Sequence, residues 1–431
     1  MTGHLEWTQH LPSGWHVKPL RAVSSYVVSN VDKIPVDSEP AVRLCNYSDV
    51  YNNEFIAQHL DFMACTATED EIRKFGLQVN DVIITKDSES WDDIGIPTLV
   101  VETADDLVCG YHLALLRPHA TALSGRFLFR CLQAKVLRLQ LELAANGVTR
   151  FGLPKSDIGA MRLPVPPLEH QLGIADFLDQ ETARLDALVA AKQRVLDLLA
   201  EKRKAIIATA VTRGLDPKVK LRDSGVPWLG EIPSHWELRR AKYLFRQSDL
   251  PVATGDEIVT CFRDGQVTLR RNRREEGFTN ADLEVGYQGI RTGQLVLHSM
   301  DAFAGAIGVS DSDGRCSPEY IICDPLDTSV IVPEYFGPLL RTMALAGFIQ
   351  ASCPAVRERA PRIRFNNFGE MHLPAPPLDE QRSIVTHIAR ETAKLDAVRA
   401  ATDRTVSLLK DRRSALIAAA VTGQLDVGAA A

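Results

Sequence analysis

The densest basic run of the sequence consists of arginines in the second half of the chain. The run holds Arg263, Arg270, Arg271, Arg273 and Arg274. An arginine side chain presents a planar fork of N–H donors, which matches the paired acceptors of a guanine edge and the oxygens of a phosphate. The run therefore predicts contact with nucleic acid. The alternative is a solvated surface run whose charge is offset by Glu275 and Glu276.

Two smaller sets of residues have the same chemical character. One set lies just before the second of two long apolar-periodic segments and consists of Arg357, Arg359, Arg362 and Arg364. For these arginines, DNA contact and a plain surface role are balanced hypotheses. The other set lies in the first half of the chain and consists of Lys86, Ser88 and Arg150. We include it among the candidate DNA-binding residues, although an ordinary turn or surface role is the stronger alternative.

Catalytic and metal-binding motifs do not accompany these residues. The sequence lacks GxxxxGK[ST], GxGxxG, HExxH and GxSxG, and it lacks the Asn/Asp-Pro-Pro-aromatic tetrad of amino-methyltransferases. Its two Pro-Pro pairs, Pro166-Pro167 and Pro376-Pro377, are each followed by leucine. The eight cysteines form no CxxC pair, which argues against a zinc site and a disulfide framework. We therefore predict a non-catalytic chain without a metal site. The isolated His112, His298 and His372 receive no role.

Length and composition are those of a soluble globular protein. The chain has 431 residues, enough for two or three domains, with 45% hydrophobic and 24% charged residues. No apolar run approaches the ~18 residues of a membrane span, and MTGHLEWTQH lacks the features of a signal peptide. We expect a cytoplasmic protein with reduced thiols and no membrane contact. The net charge of −6 counts against a nucleic-acid binder, unless acidic helices mask basic faces or a partner supplies positive charge.

An internal repeat organises the chain. Residues 163–216 align without a gap with residues 373–426, so that Gln171 matches Gln381, and about half of the positions are identical. A second match precedes each globular part, where Trp15 corresponds to Trp236 and the preceding Pro-Ser is shared. The intervening sequences diverge. We call the repeated parts the frame: residues 163–216 and 373–426, with the matching segments at Trp15 and Trp236. The repeat therefore predicts that a duplicated frame carries two different domains.

The repeated segments are predicted to be long helices. Each has no proline after its Pro-Pro entry and is rich in Ala, Leu, Glu, Lys and Arg. Apolar residues recur at spacings of three, four or seven, interrupted at equivalent positions by Lys192 and Thr402. The apolar residues are Leu178, Leu185, Leu188, Val195, Leu199 and Ile206 in the first copy, and Ile388, Leu395, Val398, Leu409 and Leu416 in the second. These recurring apolar residues form a stripe, or seam, along one face of each helix. A seam needs a partner helix to cover it, and each copy is the obvious partner of the other.

Antiparallel pairing of the two helices fits the chain best. A parallel pair would force the short linker, residues 213–235, back along most of a ~65–70 Å rod. Antiparallel pairing also predicts that the N-terminal segment lies beside the end of the second helix, because this segment copies the linker. We expect Trp15 and Trp236 to pack in cores. Gln171 and Gln381, at the helix starts, should cap or bridge the helix base.

Short β-rich runs and helical patches fill the regions between the frame segments. The runs include residues 81–85, 98–101, 294–297 and 320–323, and the helical patches include residues 127–145 and 337–352. The sequence thus predicts an α/β chain, in which two globular α/β domains are separated by two long helices forming an antiparallel coiled coil, with the pseudo-two-fold symmetry of a tandem repeat. The predicted parts are a first domain at 1–165, a helix at 166–212, a linker at 213–235, a second domain at 236–375, a helix at 376–422 and a tail at 423–431.

Several segments resemble one known family. They are GLDP at 214–217, DSGVPWLGEIPSHW at 223–236, SMDAFAGAIG at 299–308, SPEY at 317–320 and PAPPLDEQ at 374–381. The first copy of the last segment has His170 where the family usually has glutamate. With this order of parts, nearly the whole chain resembles the specificity (S) subunit of type I restriction–modification systems.

The resemblance implies a non-catalytic, DNA-binding subunit. Its two target recognition domains would each bind one part of a bipartite site in double-stranded DNA. Its helices would act as a spacer and would dock two methyltransferase (M) subunits, alongside restriction/motor (R) subunits. S-adenosylmethionine would belong to the methyltransferase partner, ATP and Mg to the restriction partner, and neither to this chain. The alternative is a duplicated coiled-coil scaffold that holds protein partners apart without DNA, which the acidic charge mildly favours.

Overall fold

The computed structural model describes residues 7–9, 11–273, 286–351 and 362–427, and it divides into two compact units. Unit 1 comprises residues 1–193 and 404–431, and unit 2 comprises residues 194–403. Each unit therefore combines one globular domain with half of each long helix. The division passes through the helices, whereas the sequence-based boundaries were drawn at the helix ends.

The globular part of unit 1 contains short strands and helices that precede the first long helix. The strands are β1 (His16–Pro19), β2 (Ser24–Val28), β3 (Ala41–Cys45), β4 (Phe55–Ile56), β5 (Met63–Thr66), β6 (Val82–Thr85), β7 (Asp87–Ser88), β8 (Pro97–Val100), β9 (Leu107–Cys109), β10 (Leu113–Pro118), β11 (Phe151–Gly152) and β12 (Arg162–Val165). The helices are α1 (Tyr47–Asn52), α2 (Glu69–Phe75), α3 (Gly125–Gln133), α4 (Lys135–Ala144), α5 (Lys155–Ala160) and the long α6 (Leu168–Arg213).

A five-stranded sheet of order β2-β10-β6-β8-β4 forms the centre of this domain. All of its pairings are antiparallel except that of β4 with β8. All four residues of β6 are buried, because both faces of the sheet are covered. Helix α3 packs on one face, and the three-stranded sheet β5-β3-β9 packs in a second core with the other face. The predicted strands at 81–85 and 98–101 are thus confirmed. The predicted helix over 127–145 is two helices, because the backbone at Ala134 is extended.

Unit 2 holds a second domain of related layout. Its strands are β13 (Leu221–Asp223), β14 (Glu231–Pro233), β15 (Glu237–Arg240), β16 (Phe245–Gln247), β17 (Val259–Cys261), β18 (Val267–Leu269), β19 (Gln288–Ile290), β20 (Leu295–His298), β21 (Ile307–Val309), β22 (Gly314–Cys316), β23 (Tyr320–Pro325) and β24 (His372–Ala375). Its helices are α7 (Pro333–Leu345), α8 (Phe348–Ala351), α9 (Phe365–Gly369) and the long α10 (Leu378–Val421).

The central sheet of unit 2 has the order β16-β23-β20-β21 and is antiparallel throughout. Its β20 and β23 confirm the strands predicted at 294–297 and 320–323. Helix α7 packs on this sheet through Tyr335, Phe336 and Leu339, which are fully buried. The helix predicted over 337–352 ends instead at Leu345. The reason is Gly347, whose φ of +82° lies in the left-handed region that ends helices.

The two long helices run antiparallel within each unit. They have 46 and 44 residues, which corresponds to about 69 and 66 Å at 1.5 Å per residue. In unit 1, Leu178 shares a core with Ile417, and Arg413 lies 3.0 Å from Asp186. In unit 2, Ala210 and Ile384 share a core, and Arg203 pairs with Asp396. The predicted antiparallel pairing is confirmed. The helices begin at Leu168 and Leu378, each two residues after the predicted bounds of 166 and 376.

The predicted seam is wrong at Leu188, Val195 and Val398. Their exposed fractions are 43%, 38% and 49%, although Leu185 is 4% exposed. Buried and half-buried positions of α6 follow a 3.5-residue period, which passes one residue away from Leu188 and from Val195. On α6 these inward positions are Leu178, Thr182, Leu185, Val189, Lys192, Leu196 and Leu199. The polar interruptions are real, since Lys192 is half-buried and Thr402 is 7% exposed.

The same frame closes each domain against its long helices. Strand β1 pairs with β12, and β15 pairs with β24, in matching antiparallel registers. In unit 2, Trp236 is 2% exposed and packs beside Gly214 at the end of α6. In unit 1, the partly buried Trp15 and its neighbour Pro12 lie against Gly423, which follows α10. The N-terminal segment therefore lies beside the end of the second helix, as the repeat predicts.

The glutamines at the helix starts hold the frame together. Gln171 accepts a hydrogen bond from the Ser124 N–H and donates to the Ala122 and Pro166 carbonyls, at 2.8–3.0 Å. Gln381 accepts from the Val332 N–H and donates to the Val330 and Pro376 carbonyls, at 2.8–2.9 Å. Both side chains are buried. The predicted bridging role is confirmed in both copies.

Candidate nucleic-acid interface

The arginine run of the second domain is placed on the β17–β18 hairpin and the turn after it. Arg263 lies in the hairpin loop, and Arg270 and Arg271 lie in a 3-10 turn that directly follows β18. Arg263 Nη2 is 2.9 Å from Asp301 Oδ1, and Arg271 Nη1 is 2.7 Å from Glu257 Oε1. The Arg270 Nε donates to the Thr260 hydroxyl at 3.3 Å. Each guanidinium thus has a partner that fixes its direction.

Arg273 is held on the same hairpin by two contacts. Its Nη1 is 2.7 Å from Asp264 Oδ2, and its guanidinium lies over the Phe262 ring at 4.3 Å. Exposed ion pairs of this kind contribute only about 0–1 kcal/mol to the stability of the fold. A phosphate or a base edge can therefore replace the carboxylate at little cost in free energy. Arg274, Arg357 and Arg359 lie outside the described residues.

His298 connects the hairpin to the second predicted arginine set. Its ring faces Asp301, the partner of Arg263, and Glu319, the partner of Arg362 at 2.9 Å. The His298 Nδ1 accepts backbone N–H groups of residues 300 and 301, which fixes the neutral Nε2–H tautomer. Burial lowers the pKa of His298 below its usual value. The structure therefore brings Arg263 and Arg362, remote in sequence, to one surface around a neutral histidine.

A cleft rich in amide side chains continues this surface. One cavity of 340 Å³ is lined by Gln247, Arg362, Arg364 and Asn366, and an adjoining one of 480 Å³ by Gln247, Tyr287 and Gln288. Asparagine and glutamine pair with adenine edges, and arginine pairs with guanine edges. Sequence reasoning missed Gln247, Gln288 and Asn366. Their amides carry no sequence signal, because only the fold brings β16, β19 and α9 together.

In the first domain the predicted Lys86, Ser88 and Arg150 are brought together around Asp87 and His112. Asp87 Oδ1 is 2.5 Å from Lys86 Nζ, and Asp87 Oδ2 is 2.5 Å from His112 Nδ1. The Arg150 Nη2 is 3.3 Å from His112 Nε2. Strand β7, which holds Asp87 and Ser88, pairs with β11 just after Arg150. Three separate segments thus form one polar cluster.

Sequence reasoning gave His112 no role, yet it is central to this cluster. Its φ of +67° lies in the left-handed region, which is uncommon for a residue with a side chain. The Tyr111 ring packs on the imidazole at 3.9 Å. Nearby, Tyr47 bonds to the mostly buried Ser88, and burial raises the pKa of Tyr47. Ser88 is therefore a support of the cluster, whereas Arg150 is exposed and available to a ligand.

Two negative findings hold for the described residues. Across them, no group of His, Cys, Asp and Glu side chains is arranged to hold a metal ion. Of their helices, none has an apolar stretch long enough to cross a bilayer.

Comparison with known proteins agrees with this organisation. Residues 45–197 match the family described as type I restriction modification DNA specificity domain. The EcoBI specificity subunit of Escherichia coli is 24% identical over 292 residues, which cover 61% of this chain but only 58% of that relative. The EcoKI specificity subunit of Escherichia coli K12 is 20% identical over 442 residues, covering 96% of this chain and 90% of the relative.

A solved structure shows the same fold over almost the whole chain. It comes from a study of complex assembly and conformational transition of the type I R-M system, and it has a TM-score of 0.65 at 17% identity. The alignment covers 96% of this chain and all of that one. With its repeated frame and paired glutamines, the chain is therefore similar in sequence and in fold to type I restriction–modification specificity subunits.

Proposed function

We propose that this chain is the DNA-recognition subunit of a type I restriction–modification complex. Each domain binds one part of a bipartite target in double-stranded DNA, and the paired helices form the common frame. The observation that carries the proposal is the contrast between frame and domains. The frame repeats down to its glutamine hydrogen bonds, whereas the polar surfaces differ, with an arginine–amide cleft in one domain and a Lys86–Asp87–His112–Arg150 cluster in the other.

The proposed partners complete the activity. Two methyltransferase subunits dock on the frame, bind S-adenosylmethionine and carry out the chemistry, while restriction subunits use ATP and Mg. The chain itself is not an enzyme in this proposal and binds none of these cofactors. The net charge of −6 is compatible with DNA binding, because basic residues are concentrated locally and partners contribute further contacts.

Exchange of one domain tests whether each domain recognises one half of the target. Residues 241–371, between β15 and β24, would be replaced by the equivalent part of a relative's second domain, with the frame kept intact. We expect binding-site selection on the assembled complex to return a target in which one half is new and the other half is unchanged. The reciprocal exchange of residues 20–161, between β1 and β12, is the matched control and should change the opposite half. A target changed in both halves, or in neither, contradicts the proposal. A complex that binds no DNA supports the scaffold alternative.

Single substitutions of the hairpin arginines separate recognition of bases from contact with phosphates. Arg263, Arg270, Arg271 and Arg273 would each be replaced by alanine. Loss of a base contact should cost about 1–3 kcal/mol of binding free energy and relax the specificity at one target position. Loss of a phosphate contact should weaken binding to all DNA sequences alike. It should also lower, by about one, the slope of log affinity against log salt concentration. Lys410→Ala, an exposed change on α10, is the control. If all four variants match this control in affinity and specificity, the run is ordinary surface.

A further inference from the structure

One exposed loop of the first domain is fixed at its base. The loop consists of residues 147–150, between α4 and β11, and all four residues are exposed. Asn146 and Gly152 close it with paired backbone hydrogen bonds of 3.0 and 2.8 Å. Gly147 has a φ of +150°, and an added Cβ there would clash with the Arg150 carbonyl oxygen. The turn is therefore tight and requires glycine, which limits the directions in which the loop presents its side chains.

This loop presents an apolar side chain close to an arginine. Val148 is 92% exposed, the largest exposed fraction among the large hydrophobic residues that the structure describes. Single exposed valines are ordinary, but this one lies two residues before the exposed Arg150. In the major groove of DNA, an apolar side chain contacts the methyl group of thymine and an arginine pairs with guanine. The loop therefore combines two chemistries of base recognition.

His112 directs the guanidinium of Arg150. Asp87 Oδ2 lies 2.5 Å from His112 Nδ1, so the neutral ring carries its proton on Nδ1 and leaves Nε2 as an acceptor. The Arg150 Nη2 donates to this Nε2 at 3.3 Å. The other Asp87 oxygen is held by Lys86 at 2.5 Å, which keeps the carboxylate from capturing Arg150 itself. The bond to His112 uses one donor of the guanidinium and leaves the others to a ligand.

We propose that this loop recognises a guanine and a nearby thymine in the half of the target bound by the first domain. This inference rests on the proposed function. Arg150 donates two parallel hydrogen bonds to N7 and O6 of guanine, since no other base presents two acceptors there. Val148 packs on the methyl group of the thymine. Two residues of chain span at most about 7 Å, so the thymine lies within about two base pairs, at about 3.4 Å each, of the guanine. His112 is a positioning residue.

Binding-site selection on the assembled complex tests the two contacts. The full chain would be purified with the methyltransferase encoded beside it, and targets would be selected from random double-stranded DNA. Arg150→Ala should relax one G·C position of the first half and weaken binding about 5- to 150-fold. Val148→Ala should relax one A·T position and weaken binding about three- to tenfold. The half bound by the second domain should stay unchanged in both variants.

Two amide variants of His112 separate positioning from folding. His112→Gln keeps an acceptor within reach of Arg150 but fits the left-handed backbone less well. His112→Asn suits that backbone, but its side chain is one methylene too short to reach Arg150. We expect H112Q to keep the guanine preference and H112N to lose it, although H112N should have the higher Tm. A purely structural histidine would give H112N the wild-type target, and that result contradicts the positioning role.

Matched controls come from exposed residues of the same domain outside the loop. Arg73→Ala on α2 and Val79→Ala before β6 should keep the wild-type target and affinity. An unchanged target in both R150A and V148A overturns the inference, and so does relaxation at positions that are not G·C and A·T. Loss of methyltransferase from these variants with the target unchanged would identify a protein contact and also overturn it. A wild-type complex that selects no target overturns the proposed function instead.

Discussion

Gln381→Leu is expected to destabilise unit 2 by about 2–4 kcal/mol, because one buried and two part-buried backbone groups lose their partner at once. The Gln381 amide is 1% exposed and serves the Val332 N–H and the Val330 and Pro376 carbonyls. The buried Pro376 carbonyl left unsatisfied costs about 1–3 kcal/mol, and the two part-buried groups cost less because water can replace their partner. Urea unfolding monitored by hydrogen exchange would measure the loss. Faster exchange should be confined to residues 328–333 and the first turns of α10.

Gln171→Leu is the matched variant in the other copy of the frame. It should have the same effect on residues 120–125 and the start of α6, since the three hydrogen bonds are equivalent. Gln193→Leu, an exposed change on α6, should stay within about 0.5 kcal/mol of the wild type. If Gln381→Leu behaves as Gln193→Leu does, the glutamine is not what joins helix to domain. Equal loss of protection in both units would mean that they do not unfold separately.

The frame was accessible from sequence because its signals are local or repeated. Periodicity predicted α6 and α10, and the Pro-Pro-Leu entries predicted where they begin. The repeat identified Gln171 and Gln381 before any contact was known. The seam was misassigned at Leu188 and Val195, since each has an apolar neighbour, Val189 and Leu196, that fits the helical period as well. Only burial distinguishes the two alternatives.

The recognition surfaces were less accessible because they depend on distant segments. The arginine run was visible as a run, but its proximity to Arg362 results from the positions of His298 and Glu319. His112 gave no sequence signal, since its role follows from a left-handed backbone and an Asp87 partner on another strand. Helix breaks show the same contrast. Gly347 offered a local reason for a break, whereas Ala134 offered none.

Arg117→Met is expected to destabilise the first domain by about 3–5 kcal/mol, the cost of leaving a buried charge without its partner. Asp81 is 1% exposed and lies at the start of β6, in the middle of the central sheet. Arg117 on β10 approaches it with Nε at 2.8 Å and Nη2 at 2.6 Å, and Nη2 also donates to the Gly76 carbonyl. Methionine keeps the aliphatic volume but supplies no donor. Chemical denaturation with fluorescence detection would report the change.

A second ion pair of the same domain provides the control. Arg43 lies 2.8 Å from Asp106, but their side chains are 34% and 46% exposed. Water replaces the lost partner at such a site, so Arg43→Met should cost at most about 1 kcal/mol. The double variant D81N/R117M removes the buried charge together with its partner and should recover part of the loss of R117M. If R117M costs no more than R43M, then burial does not govern the strength of this pair. The domain would in that case tolerate an unpaired carboxylate at Asp81, and the sheet would have to admit water there.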